Sequence, residues 1–244
     1  MRGIVLAAGT GSRLRPFTDH VPKALVPVRG ELTPLHLTLG NFQAVGITSA
    51  VIVVGYLAHT FEALRPQLED EYQVALRLLP NDKALVWNNA YSLLCALNDL
   101  DGEDALLVNG DTVHPASFQR SLLETASPGA LTLVVDDRDG MAEEEMKVQV
   151  ANGRVTTINK GLDPVTAFGE YVGVSRLPGR THDALVEALV RTIETDVNHY
   201  YEDGFQEYID QGHEVRLVTT GGGAWTEIDD VIDLERAKEI VCQY

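Results

Sequence analysis

Apolar positions in the first half of the chain fall into two alternating patterns. Residues 3–8 (GIVLAA) make a short continuous run stopped by Gly9, the pattern of a strand buried on both faces. Residues 33–46 carry Leu35, Leu37, Leu39, Phe42 and Val45 and stop at Gly46, which predicts a helix with a glycine terminator. The alternation then repeats. SAVIVVGY (49–56) predicts a strand, and HTFEALRPQL (59–68) a helix whose end Pro66 leaves open. VALRLLPN (74–81) predicts a strand and NNAYSLLCALNDL (88–100) a helix with an asparagine cap. DALLVNGD (104–111) is a further strand, ending in an acid. Such a β-α-β succession implies an α/β fold with a largely parallel sheet and helices on both faces. Ligands bind such sheets beyond the carboxyl ends of the strands, so the glycine loop after residue 8 and Asp111 are expected on one edge.

The second half changes character. ALTLVVDD (130–137), KVQVANGRVTTINK (147–160) and GEYVGVSRL (169–177) are strand-like, with Asn152-Gly153 as a hairpin turn. A helix is predicted over 183–194, a strand over 213–220, and a terminal helix within 226–241 on the spacing of Ile232, Leu234, Ala237 and Ile240. No repeat or Pro/Ser-rich linker interrupts the chain. One domain over 1–244 is therefore expected, with its second half (114–244) completing the sheet and walling the pocket of the first (1–113).

Composition narrows the function classes. The chain has 244 residues, and 36 acids against 19 Lys and Arg give a net charge of −17. That balance disfavours nucleic acid and anionic membrane surfaces as partners, since both require basic patches. Two distant cysteines suggest neither a disulfide framework nor a zinc site. The start, MRGIVLAAG, lacks the pattern of a secretory signal, so a cytoplasmic protein is expected.

Residues 6–28 are the richest in chemistry. Gly9 and Gly11 let backbone N–H groups approach an anion, Arg13 can fork onto phosphate oxygens, and Lys23 supplies a compact charge. The loop lacks the Gly-Lys-Ser/Thr of a P-loop, and Leu14 stands where a dinucleotide fingerprint needs its third glycine. Bare amides with two cations suit a loop that binds a nucleoside triphosphate, whose charge also calls for a hard cation held by carboxylates. Asp111 ends a strand, and Glu227 and Asp229 are spaced so that on a strand they face one way. Each also reads as a turn or strand-end acid. Asp230 reads as the cap of the terminal helix, Asp233 as a solvated helix acid, Asp136 and Asp137 as turn residues, and Glu143–Glu145 as a solvated acid run.

Leu6-Ala7-Ala8-Gly9-Thr10-Gly11-Ser12-Arg13-Leu14, Pro16 and Pro22-Lys23-Ala24-Leu25 resemble the signature of the nucleotidyltransferases that make sugar nucleotides and related activated metabolites. That resemblance implies a Rossmann-like nucleotidyltransferase fold with a mixed, mostly parallel central sheet flanked by helices. It further implies attack by a substrate phosphate or phosphonate on the α-phosphorus of a nucleotide, with release of pyrophosphate. Asp111 matches the family's metal-binding acid, and Glu227-Ile228-Asp229 its terminal acidic motif, which implies Mg²⁺ as cofactor. Lys23, Arg13 and Asp111 are then the implied catalytic residues, and Leu6 to Gly11, including Thr10, the implied nucleotide contacts.

The stretch Asn81-Asp82-Lys83 with Asn88-Asn89-Ala90-Tyr91-Ser92-Leu93 is similar to the pattern of bacterial-type phosphocholine cytidylyltransferases, with much of it shared by phosphonate cytidylyltransferases. Asn81, Asn88 and Asn89 can read a pyrimidine edge, or cap the following helix. Met146-Lys147-Val148, Lys160 and Gly169-Glu170 fit a further family pattern. Lys147 and Lys160 are candidate grips on the acceptor phosphate, or surface lysines. Glu170 is a candidate partner of a substrate amine or of Lys160. The expected partners are CTP and a small phosphate- or phosphonate-bearing metabolite, with a homo-oligomer left open. Two alternatives stand: a hexose-1-phosphate nucleotidyltransferase using UTP, dTTP or GTP, and a catalytically inactive nucleotide-binding module of the same fold.

Overall fold

A computed structural model of the chain describes residues 1–125, 129–138 and 140–242. The alternating first half folds as β1 (Arg2–Ala7), α1 (Pro34–Ala44), β2 (Ser49–Val54), α2 (Ala58–Tyr72), β3 (Ala75–Pro80), α3 (Ala90–Leu100) and β4 (Ala105–Asn109). There follow β5 (Thr112–Val113), α4 (Ala116–Thr125), β6 (Leu131–Asp136), the hairpin β7 (Lys147–Ala151) and β8 (Arg154–Asn159), and β9 (Gly169–Leu177). The chain closes with α5 (His182–Thr195), α6 (Tyr201–Asp210), β10 (Val215–Thr219), β11 (Thr226–Glu227) and α7 (Val231–Val241).

The main sheet runs β10-β6-β9-β4-β1-β2-β3. Strands β4, β1, β2 and β3 are parallel neighbours, as are β10 and β6, while β9 runs antiparallel between β4 and β6. The sheet is thus mixed and mostly parallel, with helices on both faces. Neighbouring residues of the buried strands divide between two cores. Ile4, Val51 and Leu107 pack with α3, α5 and α6, whereas Val5, Ile52 and Leu106 pack with α1, α2 and α4. This two-sided burial is why β1, β2 and β4 read as continuous apolar runs. A third core joins α7 to Leu14, Val26 and Val28, under the glycine loop.

Some local expectations change. Pro66 does not end α2, which continues to Tyr72 and stops where Gln73 adopts a left-handed conformation (φ 54°). The hydrophobic pattern does not predict α4, α6 or the two-residue strands β5 and β11. Asp136 is no turn residue: it ends β6 and is buried, accepting hydrogen bonds from Thr220 Oγ1 and Trp225 Nε1. Among the described residues, no helix is long and apolar enough to cross a membrane.

Candidate active site

The glycine loop leaves β1 at the carboxyl edge of the sheet, and its shape comes from a few anchors. Gly11 has φ +60°, a conformation that side chains rarely adopt, and Thr18 Oγ1 donates to its carbonyl at 2.8 Å. Leu14 is fully buried at the end of a 3-10 turn, Ser12–Leu14, which leaves Arg13 on the open side. A second 3-10 turn, Lys23–Leu25, is held down by Ala24 and Leu25, and Lys23 reaches into the cleft. A Cβ added at Gly9 would meet nothing within 4 Å, so the loop backbone there faces open space.

Three carboxylates meet these cations because two short segments pair. β11 runs antiparallel to β5, with Glu227 opposite Thr112, and the Ile228 N–H donates to the Asp111 carbonyl at 3.0 Å. Thr226 and Ile228 point inward, so Glu227 and Asp229 emerge together on the cleft side. Asp111, Glu227 and Asp229 each offer an oxygen within 4.8 Å of the others. Lys23 Nζ lies 2.7 Å from Asp111 and 2.8 Å from Asp229, and Arg13 donates to Asp229 at 2.7 Å. The Arg13 side chain is 67% exposed, so that pair contributes at most ~1 kcal/mol to folding.

The electrostatics follow from this crowding. Burial opposes the charge on Lys23, but Asp111, Asp229 and Glu227 outweigh it and hold the ammonium above its ordinary value. Desolvation raises Asp229, yet Lys23 and Arg13 bring it below the usual carboxylate range. Glu227 keeps surface open to the cleft, but it stands deep among protein atoms. Burial, then repulsion from Asp111 and Asp229, pushes its carboxyl up. Three hard oxygen donors that repel one another suit a divalent cation such as Mg²⁺ or Mn²⁺.

Two cavities share this floor. The first, about 320 Å³, is lined by Leu6, Ala7, Ala8, Gly9, Thr10 and Gly11, together with Arg13, Lys23, Asp111, Asn88 and Asn89. The second, about 430 Å³, opens beside it toward β9 and α6, and Arg13, Asn109, Lys160, Glu227 and Asp229 line both. Asn109 ends β4 and fits because Gly173 of β9, at φ +75°, has no side chain: a Cβ there would lie 2.6 Å from Asn109 Nδ2.

Not every residue expected in the site reaches it. Asn81 is buried behind the wall, donating to Ser92 Oγ at 2.9 Å and accepting from the Lys83 N–H at 2.8 Å. Asn89, at the cap position of α3, does line both cavities, but its side-chain Oδ1 accepts from the Tyr201 N–H instead of capping the helix. Lys147 is fully buried and its ammonium donates to the carbonyls of Ala142, Glu143 and Glu145, so it grips a loop and not a ligand. Lys160 does line both cavities, with its Nζ 4.8 Å from the centre of the Tyr200 ring.

Glu170 lines the second cavity, but its partner is Arg138 at 2.8 Å and not Lys160. Arg138 also binds Asp136 and Glu145, so the acid run is not wholly solvated. Burial, with Glu145 and Asp136 nearby, pushes Glu170 up to about 8 against the opposing pull of the Arg138 and Arg236 guanidinium groups. Asp233 is likewise not a free helix acid. Its carboxylate accepts from the N–H groups of Asp229 and Asp230, while Asp230 caps α7.

Sequence reasoning missed Glu202, which lines the second cavity from the first turn of α6. The signal was the apolar spacing of Tyr201, Phe205 and Tyr208, interrupted by Gly204. Burial pushes the Glu202 carboxyl up to about 7.

The profile of the MobA-like NTP transferase domain matches residues 3–196. A bifunctional IPC transferase and DIPP synthase of Aquifex aeolicus is 28% identical over 239 residues, 97% of this chain and 50% of that protein. A choline-phosphate cytidylyltransferase of Streptococcus pneumoniae is 40% identical over 100 residues, 41% of each protein. The matches thus span about half or less of these curated relatives. An inositol-1-phosphate CTP transferase structure from T. maritima superposes with a TM-score of 0.84, at 24% identity, covering 99% of this chain and 95% of that one. This likeness places the mixed sheet and its flanking helices in the Rossmann-like nucleotidyltransferase fold.

Proposed function

The chain belongs to the MobA-like NTP transferase domain family, and on that premise we propose that it is a cytidylyltransferase. It joins CTP to a small phosphate- or phosphonate-bearing metabolite and releases pyrophosphate. The observation that carries this reading is the meeting of Lys23 with Asp111 and Asp229, beside the open backbone of the Gly9–Gly11 loop. Relatives that use a CMP donor, such as the choline-phosphate cytidylyltransferase, support the choice of nucleotide.

In this reading the first cavity holds the nucleotide. The loop amides, Arg13 and Lys23 grip the triphosphate, and Asn88 and Asn89 meet the base. Asp111, Glu227 and Asp229 would hold Mg²⁺, which when bound supplies charge neutralisation at the triphosphate. The acceptor enters from the second cavity. An oxygen of its phosphate or phosphonate forms a bond to the α-phosphorus, and the bond from that phosphorus to the pyrophosphate oxygen breaks. The attacking group is ionised near neutral pH, so no side chain must remove a proton. The protein's work is to align the two phosphorus centres and to offset charge.

The test is pyrophosphate release with each of the four nucleoside triphosphates and a panel of phosphate and phosphonate acceptors. CTP is expected to support turnover; its rejection in favour of UTP, dTTP or GTP would overturn the assignment. CTP binding with no turnover of any acceptor would favour an inactive binding module.

A further inference from the structure

Glu202 stands out among the side chains of the second cavity. It is 5% exposed, it lines the cavity, and its Oε2 has no hydrogen-bond partner. A buried carboxylate oxygen left unpaired costs free energy unless a donor meets it. Among the other charged groups of this cavity, Arg138 binds three carboxylates and Arg13 binds Asp229, while Arg236 acts through its charge on Glu170. Lys160 reaches Glu202 through its charge but forms no ion pair with it, and stays over the Tyr200 ring. The backbone cannot swing Glu202 away. Asn89 accepts from the Tyr201 N–H, and Tyr201 donates its hydroxyl to Asn109, which fixes the first turn of α6 to the nucleotide side.

The aromatic residues of this wall are engaged as well. Trp225 has the Arg138 guanidinium 5.6 Å from its ring centre and its Nε1 bonded to Asp136. Tyr200 carries Lys160. Tyr171 is buried edge-on between Tyr201 and Phe205. A trimethylammonium head, which has no N–H and relies on free aromatic faces, finds no ready cage here. A primary ammonium has three N–H donors and a charge opposite to that of Glu202.

We propose that Glu202 selects an acceptor bearing a primary ammonium group, so that the substrate class is an aminoalkyl phosphate or phosphonate and not a quaternary-amine or neutral polyol phosphate. The inference rests on the transfer reaction proposed above and deepens it. Its test compares initial rates of pyrophosphate release, with CTP and Mg²⁺, for 2-aminoethylphosphonate, its N,N,N-trimethyl analogue and glycerol 3-phosphate. The wild-type protein is expected to favour the primary amine by at least about 10-fold in kcat/KM over both others. Glu202→Gln is expected to raise the KM for 2-aminoethylphosphonate and to shrink its advantage over glycerol 3-phosphate by about 10-fold. A preference for the trimethylated or the neutral acceptor, or an unchanged ratio in a folded Glu202→Gln protein, overturns this inference and leaves the transfer reaction standing. Absence of pyrophosphate with every acceptor and every nucleotide overturns the reaction itself, and the inference with it.

Discussion

Lys23 is the residue on which the charges of the cleft converge, at 2.7 Å from Asp111 and 2.8 Å from Asp229. Replacing it with alanine removes a largely enclosed cation from the cleft floor and leaves the carboxylates to repel each other. Lys23→Ala is expected to lower kcat by roughly 10²–10³-fold, the scale found for deleting one preorganised charge partner. Steady-state turnover in a protein with an unchanged circular dichroism spectrum measures this, and wild-type rates would remove Lys23 from the mechanism. His114 offers a residue-scale test of stability. Burial pushes its imidazole down to about 4, and it packs flat against Phe118. The folded protein therefore keeps His114 neutral, while the unfolded chain takes a proton below ~6.5. Its contribution to stability is complete above that pH and is lost as pH falls toward 4. Between pH 7.5 and 5 the loss should reach about 2 kcal/mol. Urea unfolding of the wild type and of His114→Gln should converge by that amount, and parallel pH profiles would refute the assignment.

At the scale of elements, α7 does more than its sequence pattern suggests. Asp230 caps it, and Asp233 reaches back to the N–H groups of Asp229 and Asp230. The helix start thus orients a carboxylate of the cation site. Asp230→Ala should cost about 1 kcal/mol, or a few degrees in Tm. Asp233→Ala should weaken Mn²⁺ binding as well, read by titration of the metal; an unchanged Mn²⁺ affinity would separate the cap from the site. The strands and helices of the first half were legible because two-sided burial leaves unbroken apolar runs and glycine marks their ends. The cap at Asp230 was legible for the same local reason. The roles of Asp136, Asp233 and Lys147 were not, since each depends on partners that the chain brings from elsewhere or folds back onto itself. β5 escaped notice because two residues have no periodicity, and a strand at β11 was legible only through the spacing of Glu227 and Asp229, although the pairing of β5 with β11 is what assembles Asp111 with these two acids. The glycine loop and the acids stood out by composition and spacing, whereas Glu202 lay on a helix whose apolar stripe Gly204 interrupts.

For the whole molecule, the two halves share one sheet: β4 pairs on one side with β1 and on the other with β9. We propose that residues 1–244 fold as one unit, with no independent half. A fragment of residues 1–113 should then show no cooperative unfolding transition by circular dichroism, and a sharp transition would argue for two units. The placement of β9 bears on how the protein is made. Residues 105–109 leave the ribosome long before residues 169–177, so a growing chain carries an unpaired strand edge while its neighbour is still being synthesised. Chains cut short before β9 would present that edge to one another, making premature termination a route to aggregation.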